Sequence, residues 1–317
     1  MWALGKGFSH LAGVHWSVMN GSGRESSRLA WRWARWGGVG VVLVLLALLG
    51  VRLVQRTPAT APSATRTELV ELGAELFYLD ASPIVRRGST RVVVLRLNEP
   101  VELIPHHFRA AGLQEPQPAE AWQDVLDAPV VFNAGQFDEN LNHLGWLKSD
   151  GAWLSDYRKP AWKGLLVSGP KGDRGWGRVV DLKFNQPSIV EGYRHALQSM
   201  MLVDHNRDVR VRDSDLTACR TVVAEDVQGR LLIILTEGAT TLADLARWLP
   251  QTPLDLVRAM NLDGGIESQL VIQTPELSAA FYGQYGTGTT VFDSSPGQMI
   301  RYPLPAVVAV RPVDHGP

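Results

Sequence analysis

The sequence predicts an α+β domain, in which a mixed, largely antiparallel sheet carries packed helices, behind an N-terminal membrane segment. Of the 317 residues, 45% are hydrophobic and 20% are charged, which is an ordinary globular composition. Short β-branched or alternating runs are separated by Pro, Gly and Asn, as is typical of antiparallel strands. A few segments with helical spacing lie between them, but they are too few to be the crossovers of a parallel sheet.

The first 66 residues differ in composition from the rest. Residues 1–36 contain five basic residues and one acid, and residues 37–51 contain no charge. We predict a basic cytoplasmic region over 1–36, a transmembrane anchor or signal segment over 37–54 and a linker over 55–66. The domain at 67–313 follows.

The charge asymmetry also predicts location. By the positive-inside rule, the basic flank stays in the cytoplasm and the main domain lies outside it, in the periplasm or the extracellular space. The competing interpretation is a signal peptide that is cleaved near Ala61 or Ala64, which gives a secreted form.

The first half of the domain opens with strands. Residues 75–78, 91–97 and 101–104 are β-branched or alternating runs, and 119–126 has the apolar spacing of a helix. A buried strand at 129–132 then ends in a polar Asn-Ala-Gly turn, a position that is typical of a binding site.

The second half begins with a hairpin. Apolar runs at 221–223 and 231–235 enclose the turn residues 226–230. A helix is predicted over 241–249, with Thr240 or Thr241 as its N-cap, and a second short helix over 254–260.

Several motifs together carry a family resemblance. Residues 261–268 read NLDGGIES and are similar to NLDGGGSS, while residues 131–138 read VFNAGQFD and are similar to a motif containing NGGFFD. Segments at 144–151, 196–199, 220–221 and 242–249 follow in the same order. The chain therefore resembles the phosphodiester glycosidase family over roughly 68–312. Those enzymes include the one that uncovers mannose 6-phosphate by removing N-acetylglucosamine.

The resemblance implies hydrolysis, or transfer, of a glycosyl group linked through a phosphodiester at its anomeric carbon. The substrate would be an extracytoplasmic glycan or glycolipid. However, Ile266 and Glu267 replace the third glycine and the first serine of the motif, and Gln136 replaces an aromatic residue. The alternative is therefore a non-catalytic glycan-binding or exopolysaccharide-assembly protein with a degenerate site.

The chemistry indicates which residues to examine. An oxocarbenium-like transition state needs a carboxylate near the sugar carbon, and a guanidinium can stabilise a departing phosphate. We predict catalytic roles for Asp263, Arg220 and Glu237, with Asp263 acting as nucleophile, base or sugar ligand. The predicted substrate-binding residues are Asn133, Asp138, His143, Thr221, Gly264, Gly265 and Ser268. His143 is equally compatible with a structural role, and Asp138 and Glu237 with solvated loop charges.

Other classes of function are disfavoured. With 31 basic and 32 acidic residues, the chain has no excess charge for nucleic acid. The single cysteine, Cys219, makes neither an internal disulfide nor a C-x-x-C site. No G-x-S-x-G or H-E-x-x-H motif is present. No organic cofactor and no metal site are predicted, and the need for a divalent cation is left open.

Overall fold

A computed structural model describes residues 66–171, 177–286 and 301–313. The predicted N-terminal region, membrane segment and most of the linker lie outside the described residues. Within the described part of the chain, no helix combines the length and apolar character needed to cross a membrane.

The described residues form sixteen strands. In chain order they are β1 (Thr67–Leu69), β2 (Ala74–Asp80), β3 (Arg91–Leu97), β4 (Val101–His107), β5 (Val130–Asn133), β6 (Leu147–Ser149), β7 (Ala152–Ser155), β8 (Gly164–Pro170), β9 (Arg178–Asp181), β10 (Tyr193–Val203), β11 (Thr217–Asp226), β12 (Leu231–Thr241), β13 (Leu256–Gly264), β14 (Gln269–Gln273), β15 (Ser278–Tyr282) and β16 (Ala306–Pro312).

Two short α-helices accompany these strands, α1 (Ala119–Leu126) and α2 (Leu242–Trp248). Four 3-10 turns are also present, at Val70–Leu72, Pro187–Gly192, Leu249–Gln251 and Gly265–Glu267. The Thr241 hydroxyl accepts a hydrogen bond from the Asp244 N–H and so caps α2.

Two antiparallel sheets contain all of these strands. The larger has eleven strands in the order β1-β2-β3-β12-β11-β13-β10-β6-β7, with β8 paired to β10 and β9 to β8. The smaller has the order β15-β14-β5-β16-β4. The strands β5 and β13, which end in the Asn133 and Asp263 motifs, therefore belong to different sheets.

The main hydrophobic core contains side chains from both sheets. Leu95 and Ile233 from the larger sheet belong to the same buried cluster as Phe132 and Val308 from the smaller one. Because side chains alternate along a strand, Val94 instead joins a second cluster with Leu245 of α2. Trp122 of α1 packs in a third cluster with residues of the smaller sheet. Each sheet is thus apolar on both of its faces.

The predicted α+β class was wrong, because the described chain is mostly β, with two antiparallel sheets and few helices. The helix predicted over 254–260 is one source of the error, since this segment enters β13. Seven residues are too few for periodicity to separate a buried strand from a helix. The segment forms a strand because β13 pairs with both β10 and β11.

Other predicted elements are confirmed. The strand at 91–97 and the helix at 119–126 have the bounds that the sequence predicts. The predicted hairpin joins β11 to β12, with Asp226 N–H bonded to the Arg230 carbonyl at 3.0 Å. The N-cap of α2 is Thr241 rather than Thr240.

Candidate active site

Asn133 connects the strands around the site. Its Oδ1 accepts hydrogen bonds from the Thr221 hydroxyl at 2.8 Å and the Gln269 N–H at 3.1 Å. Its Nδ2 donates to the carbonyls of Asp263 at 3.0 Å and Ala134 at 3.2 Å. These four bonds use the full capacity of the amide, which is 1% exposed. Asn133 is therefore a positioning residue that holds the Asp263 backbone.

Asp263 lies near the end of β13, where the strand leads into the 3-10 turn. Its N–H donates to the Ala134 carbonyl at 3.1 Å, and its Oδ1 accepts from the Gly264 N–H at 2.9 Å. Burial raises its pKa to about 7, and the negative charge of Glu267 adds to this increase. The Gly264 bond and the Arg220 charge act in the opposite direction. This carboxyl group can therefore exchange a proton near neutral pH.

Glu267 lies at the end of the same turn. Its carboxylate folds over Gly265, since a Cβ built on that glycine would lie 3.0 Å from Glu267 Oε2. Burial raises its pKa. Burial and the charges of Glu267 and Asp263 also raise the pKa of Tyr302. Two carboxyl groups and a phenol therefore share one partly buried space.

Arg220 provides the positive charge. It lies on β11 in register with Gly264, and a Cβ on Gly264 would lie 3.5 Å from its Nη1. Its Nε and Nη2 donate to the carbonyls of Thr240 at 3.2 Å and Leu216 at 3.1 Å. Burial lowers its pKa to about 10, so it remains charged at neutral pH. Because both bonds go to neutral acceptors, the guanidinium retains its capacity to bind an anion.

The remaining predicted residues of this region are mostly buried. Thr221 is fully buried and its hydroxyl is committed to Asn133. Ser268 is also fully buried, and within the described ranges its Oγ has no hydrogen-bond partner. The structure therefore brings seven predicted residues together, which are Asn133, Arg220, Thr221, Asp263, Gly264, Gly265 and Ser268.

Three predicted residues are engaged elsewhere. Glu237 pairs with Arg91, whose Nε donates to Oε2 at 2.9 Å, and it accepts from the Ser89 hydroxyl at 3.0 Å. Asp138 stabilises its own loop by accepting the N–H groups of Asn140 and Asn142, both at 2.9 Å. These bonds account for both carboxylates without a ligand. Within the described residues, the side-chain hydrogen bonds and ion pairs of Glu237 and Asp138 do not include Asp263 or Arg220.

His143 is the third of these residues. It packs against Gly135, where an added Cβ would lie 2.7 Å from His143 Cε1. Burial lowers its pKa to about 3, so the imidazole is neutral at physiological pH. It lines a pocket that does not include the Asp263 cluster.

Sequence reasoning missed Glu267 and Tyr302 as members of the site. Glu267 stands inside the recognised motif, where the sequence alone marks it only as a departure from the family pattern. Tyr302 had no local signal, because it reaches the cluster only when β16 pairs with β5.

As to metals, no group of three or more His, Cys, Asp or Glu side chains within the described residues is arranged to bind one.

Comparison with known proteins gives a family match. The phosphodiester glycosidase family model matches residues 127–310. No curated protein matches the chain.

Two solved structures share the fold. A hypothetical protein from Synechocystis has 15% identity and a TM-score of 0.53, with 80% of this chain and 64% of that chain covered. The chain thus spans less than two thirds of that protein. The catalytic domain of zebrafish N-acetylglucosamine-1-phosphodiester alpha-N-acetylglucosaminidase, auto-inhibited by its pro-peptide, has 15% identity and a TM-score of 0.52, with 79% and 87% covered. At this identity the likeness concerns the fold alone.

Proposed function

This chain belongs to the phosphodiester glycosidase family, and we propose on that basis that it hydrolyses the bond between the anomeric carbon of a sugar and a phosphodiester. Transfer of the glycosyl group to another acceptor would use the same bond. The observation that carries the proposal is that the charges of both Arg220 and Glu267 act on the buried Asp263 carboxyl group, with Arg220 in register with Gly264.

The two carboxyl groups supply the acid–base chemistry. Burial raises the pKa of both carboxyl groups, and the Glu267 charge raises that of Asp263 further, to about 7, so Asp263 retains a proton near neutral pH. In the proposed reaction, a water molecule attacks the anomeric carbon. Whichever of the two carboxyl groups is ionised accepts the proton that this water loses. That carboxylate also stabilises the positive charge that develops on the sugar.

Arg220 supplies the leaving-group chemistry. As the bond between the anomeric carbon and oxygen breaks, the phosphate oxygen retains the electron pair and becomes an anion. Among the described residues only Nε and Nη2 of this guanidinium make hydrogen bonds, so Nη1 can stabilise the charge by charge-assisted hydrogen bonding. The phosphate is a good leaving group, so it needs less help from a general acid than an ordinary glycoside does.

Release of sugar from synthetic sugar 1-phosphodiesters tests the proposal. The full-length protein, purified in a mild detergent, would be assayed first on N-acetylglucosamine 1-phosphodiesters, because the zebrafish enzyme is named for them. We expect Asp263→Asn to reduce kcat/KM by about 10²–10⁴-fold and Arg220→Lys by about 10²-fold or more. Asp213→Asn, which alters an exposed carboxylate, is the matched control.

The alternative is a glycan-binding protein without turnover. Ile266 and Glu267 favour it, because they replace a glycine and a serine of the family motif. Absence of sugar release from every phosphodiester, together with measurable glycan binding by the same preparation, would support this alternative and contradict hydrolysis.

We also propose that the domain acts outside the cytoplasm, attached through the predicted segment 37–54. The basic residues before that segment and the uncharged run within it support this orientation. Protease accessibility of the domain in intact cells or spheroplasts tests it, because a cytoplasmic domain would be protected.

A further inference from the structure

A concave surface lies on the His143 side of the Asn133–Ala134–Gly135 segment. It is a pocket of about 500 Å³, a volume typical of small-molecule sites. Its lining includes Arg109, Asn142, His143, Trp153, Ser155 and Asp156, and it does not include Asp263, Arg220 or Glu267. The two regions are nevertheless connected through adjacent residues of one segment. The Ala134 carbonyl accepts a hydrogen bond from the Asp263 N–H, and Gly135 packs on His143.

Trp153 presents an aromatic surface in this pocket. It lies on β7, at the end of the strand order of the larger sheet, and it is 42% exposed. Contact with Trp146, at 5.7 Å between ring centroids, and with the Lys148 ammonium, at 5.5 Å, holds the indole. A fixed and exposed indole is suited to pack against the apolar face of a sugar ring.

Hydrogen bonds fix the polar side of the pocket. Arg109 donates to the Asn142 side-chain oxygen at 2.9 Å and to the Asn140 carbonyl at 2.7 Å. Asp156 and Asn142 are exposed at the same pocket. Donors and acceptors for hydroxyl groups therefore surround the indole.

His143 lies beneath this surface and is 3% exposed. Within the described residues neither ring nitrogen makes a hydrogen bond of ordinary geometry, and the Gln198 carbonyl, which acts to raise its pKa, is the backbone acceptor that approaches the ring. In His107, which also lines the pocket, Nε2 donates to the Leu141 carbonyl at 2.9 Å and Nδ1 accepts from the Arg109 N–H at 3.4 Å. Buried polar atoms are normally paired, and a single carbonyl can accept from only one ring nitrogen, so the other nitrogen of His143 has capacity for a ligand.

We propose that this pocket binds a saccharide unit, with Trp153 packed against the sugar ring and His143, Asn142 and Asp156 serving its hydroxyl groups. Burial lowers the pKa of His143 to about 3. A neutral imidazole has one donor and one acceptor, which matches a hydroxyl group. The pocket is separate from the Asp263 cluster, so saccharide binding does not depend on hydrolysis there.

Saturation-transfer NMR of the full-length protein tests this proposal. The probes would be glucose, mannose, galactose and N-acetylglucosamine, with and without a 1-O-methyl group. Binding of at least one sugar is expected, and Trp153→Ala should weaken it about tenfold or more, since stacking and burial of an aromatic contribute on this scale. Phe184→Ala removes another exposed aromatic and is the matched control.

A second variant separates recognition from packing. His143→Phe retains a ring of similar size but removes both nitrogens, so at pH 7, where the imidazole is neutral in the folded chain, sugar binding should weaken while the thermal denaturation midpoint stays near that of the wild type. Asp263→Asn should keep saccharide binding at this pocket even if it abolishes hydrolysis. Binding that is unchanged in Trp153→Ala, or absent for every sugar tested, would overturn the proposal whatever the outcome for hydrolysis.

Discussion

The regions around Asp263 and His143 lie on either side of the same short segment but respond to burial in opposite directions. Burial raises the pKa of the Asp263 carboxyl to about 7 and lowers that of the His143 imidazole to about 3. In both cases the neutral form is favoured, because burial removes water from the charged form. Of these two groups, only Asp263 therefore titrates near neutral pH, although histidine is the residue more commonly expected to do so.

This comparison separates chemistry from recognition. A carboxyl group with a pKa near 7, beside Glu267 and Arg220, is suited to acid–base work. A permanently neutral imidazole beneath an exposed indole is suited to hydrogen bonding instead. Changing the shared segment should disturb both regions, whereas changes to either side should disturb one.

The largest expected effect comes from Asn133→Ala, which removes the amide that bonds the shared segment to β11, β13 and the start of β14. It leaves the Thr221 hydroxyl, the Gln269 N–H and the Asp263 carbonyl without their partner. We expect the free energy of unfolding to fall by about 3–5 kcal/mol, measured by urea denaturation. Asn185→Ala, which removes one side-chain bond to Asp181, should cost about 1 kcal/mol. Equal losses in the two variants would contradict the positioning role.

The next largest effect concerns how the free energy of unfolding depends on pH, where Asp263 and His143 contribute in opposite directions. From about pH 4 to pH 7 the folded chain holds more protons on Asp263 than the unfolded chain does, so this contribution to stability falls as pH rises. From about pH 3 to pH 6.5 the folded chain holds fewer protons on His143, so its contribution rises with pH.

Urea denaturation at pH 4, 5, 6 and 7 measures both contributions. Relative to the wild type, Asp263→Asn should gain stability as pH rises, and His143→Phe should gain stability as pH falls. Each change should total about 2–4 kcal/mol across its window. Variant curves that run parallel to the wild-type curve would show that these groups do not titrate as described.

Two glycine substitutions compare the rigidity of the two regions. Gly135→Ala places a Cβ 2.7 Å from the His143 ring, and we expect a loss of about 1–3 kcal/mol from overpacking. Gly265 has φ +86°, where a side chain is strained by about 1–2 kcal/mol. An added Cβ there would lie 3.0 Å from the end of the Glu267 side chain, which can move, and 3.2 Å from the Gly286 Cα, a smaller overlap than at Gly135. Thermal denaturation should therefore show the larger loss for Gly135→Ala, and the reverse order would mean that the histidine ring yields more easily.

The smallest effect concerns Glu267→Gln. Removing this negative charge lowers the pKa of Asp263, so the inflection of kcat/KM near pH 7 should move to lower pH, by at most about one unit. Glu276→Gln changes an exposed carboxylate outside the site and should leave the profile in place. An inflection that stays at its wild-type pH in Glu267→Gln would remove Glu267 from the proposed carboxyl pair.

The sequence predicts elements that local patterns determine. The helix α1 has the expected bounds, and the hairpin of β11 and β12 follows from its turn residues. The class was wrong because strand pairing over long separations decides it, as at β13. The motifs also predict that Asn133, Arg220 and Asp263 belong to one site. They could not predict that Glu237 would pair with Arg91, or that Tyr302 would approach the carboxyl groups, since both depend on distant strands.

The hydrogen bonds of Asn133 also bear on how the protein folds. They connect positions that are 88, 130 and 136 residues apart in the chain. Contacts of such long separation form slowly, because a large loop must close before any contact compensates for the lost entropy. The site around Asp263 is therefore expected to assemble late in folding, after the local hairpins. Recovery of sugar hydrolysis during refolding should lag behind recovery of the β-sheet circular dichroism signal.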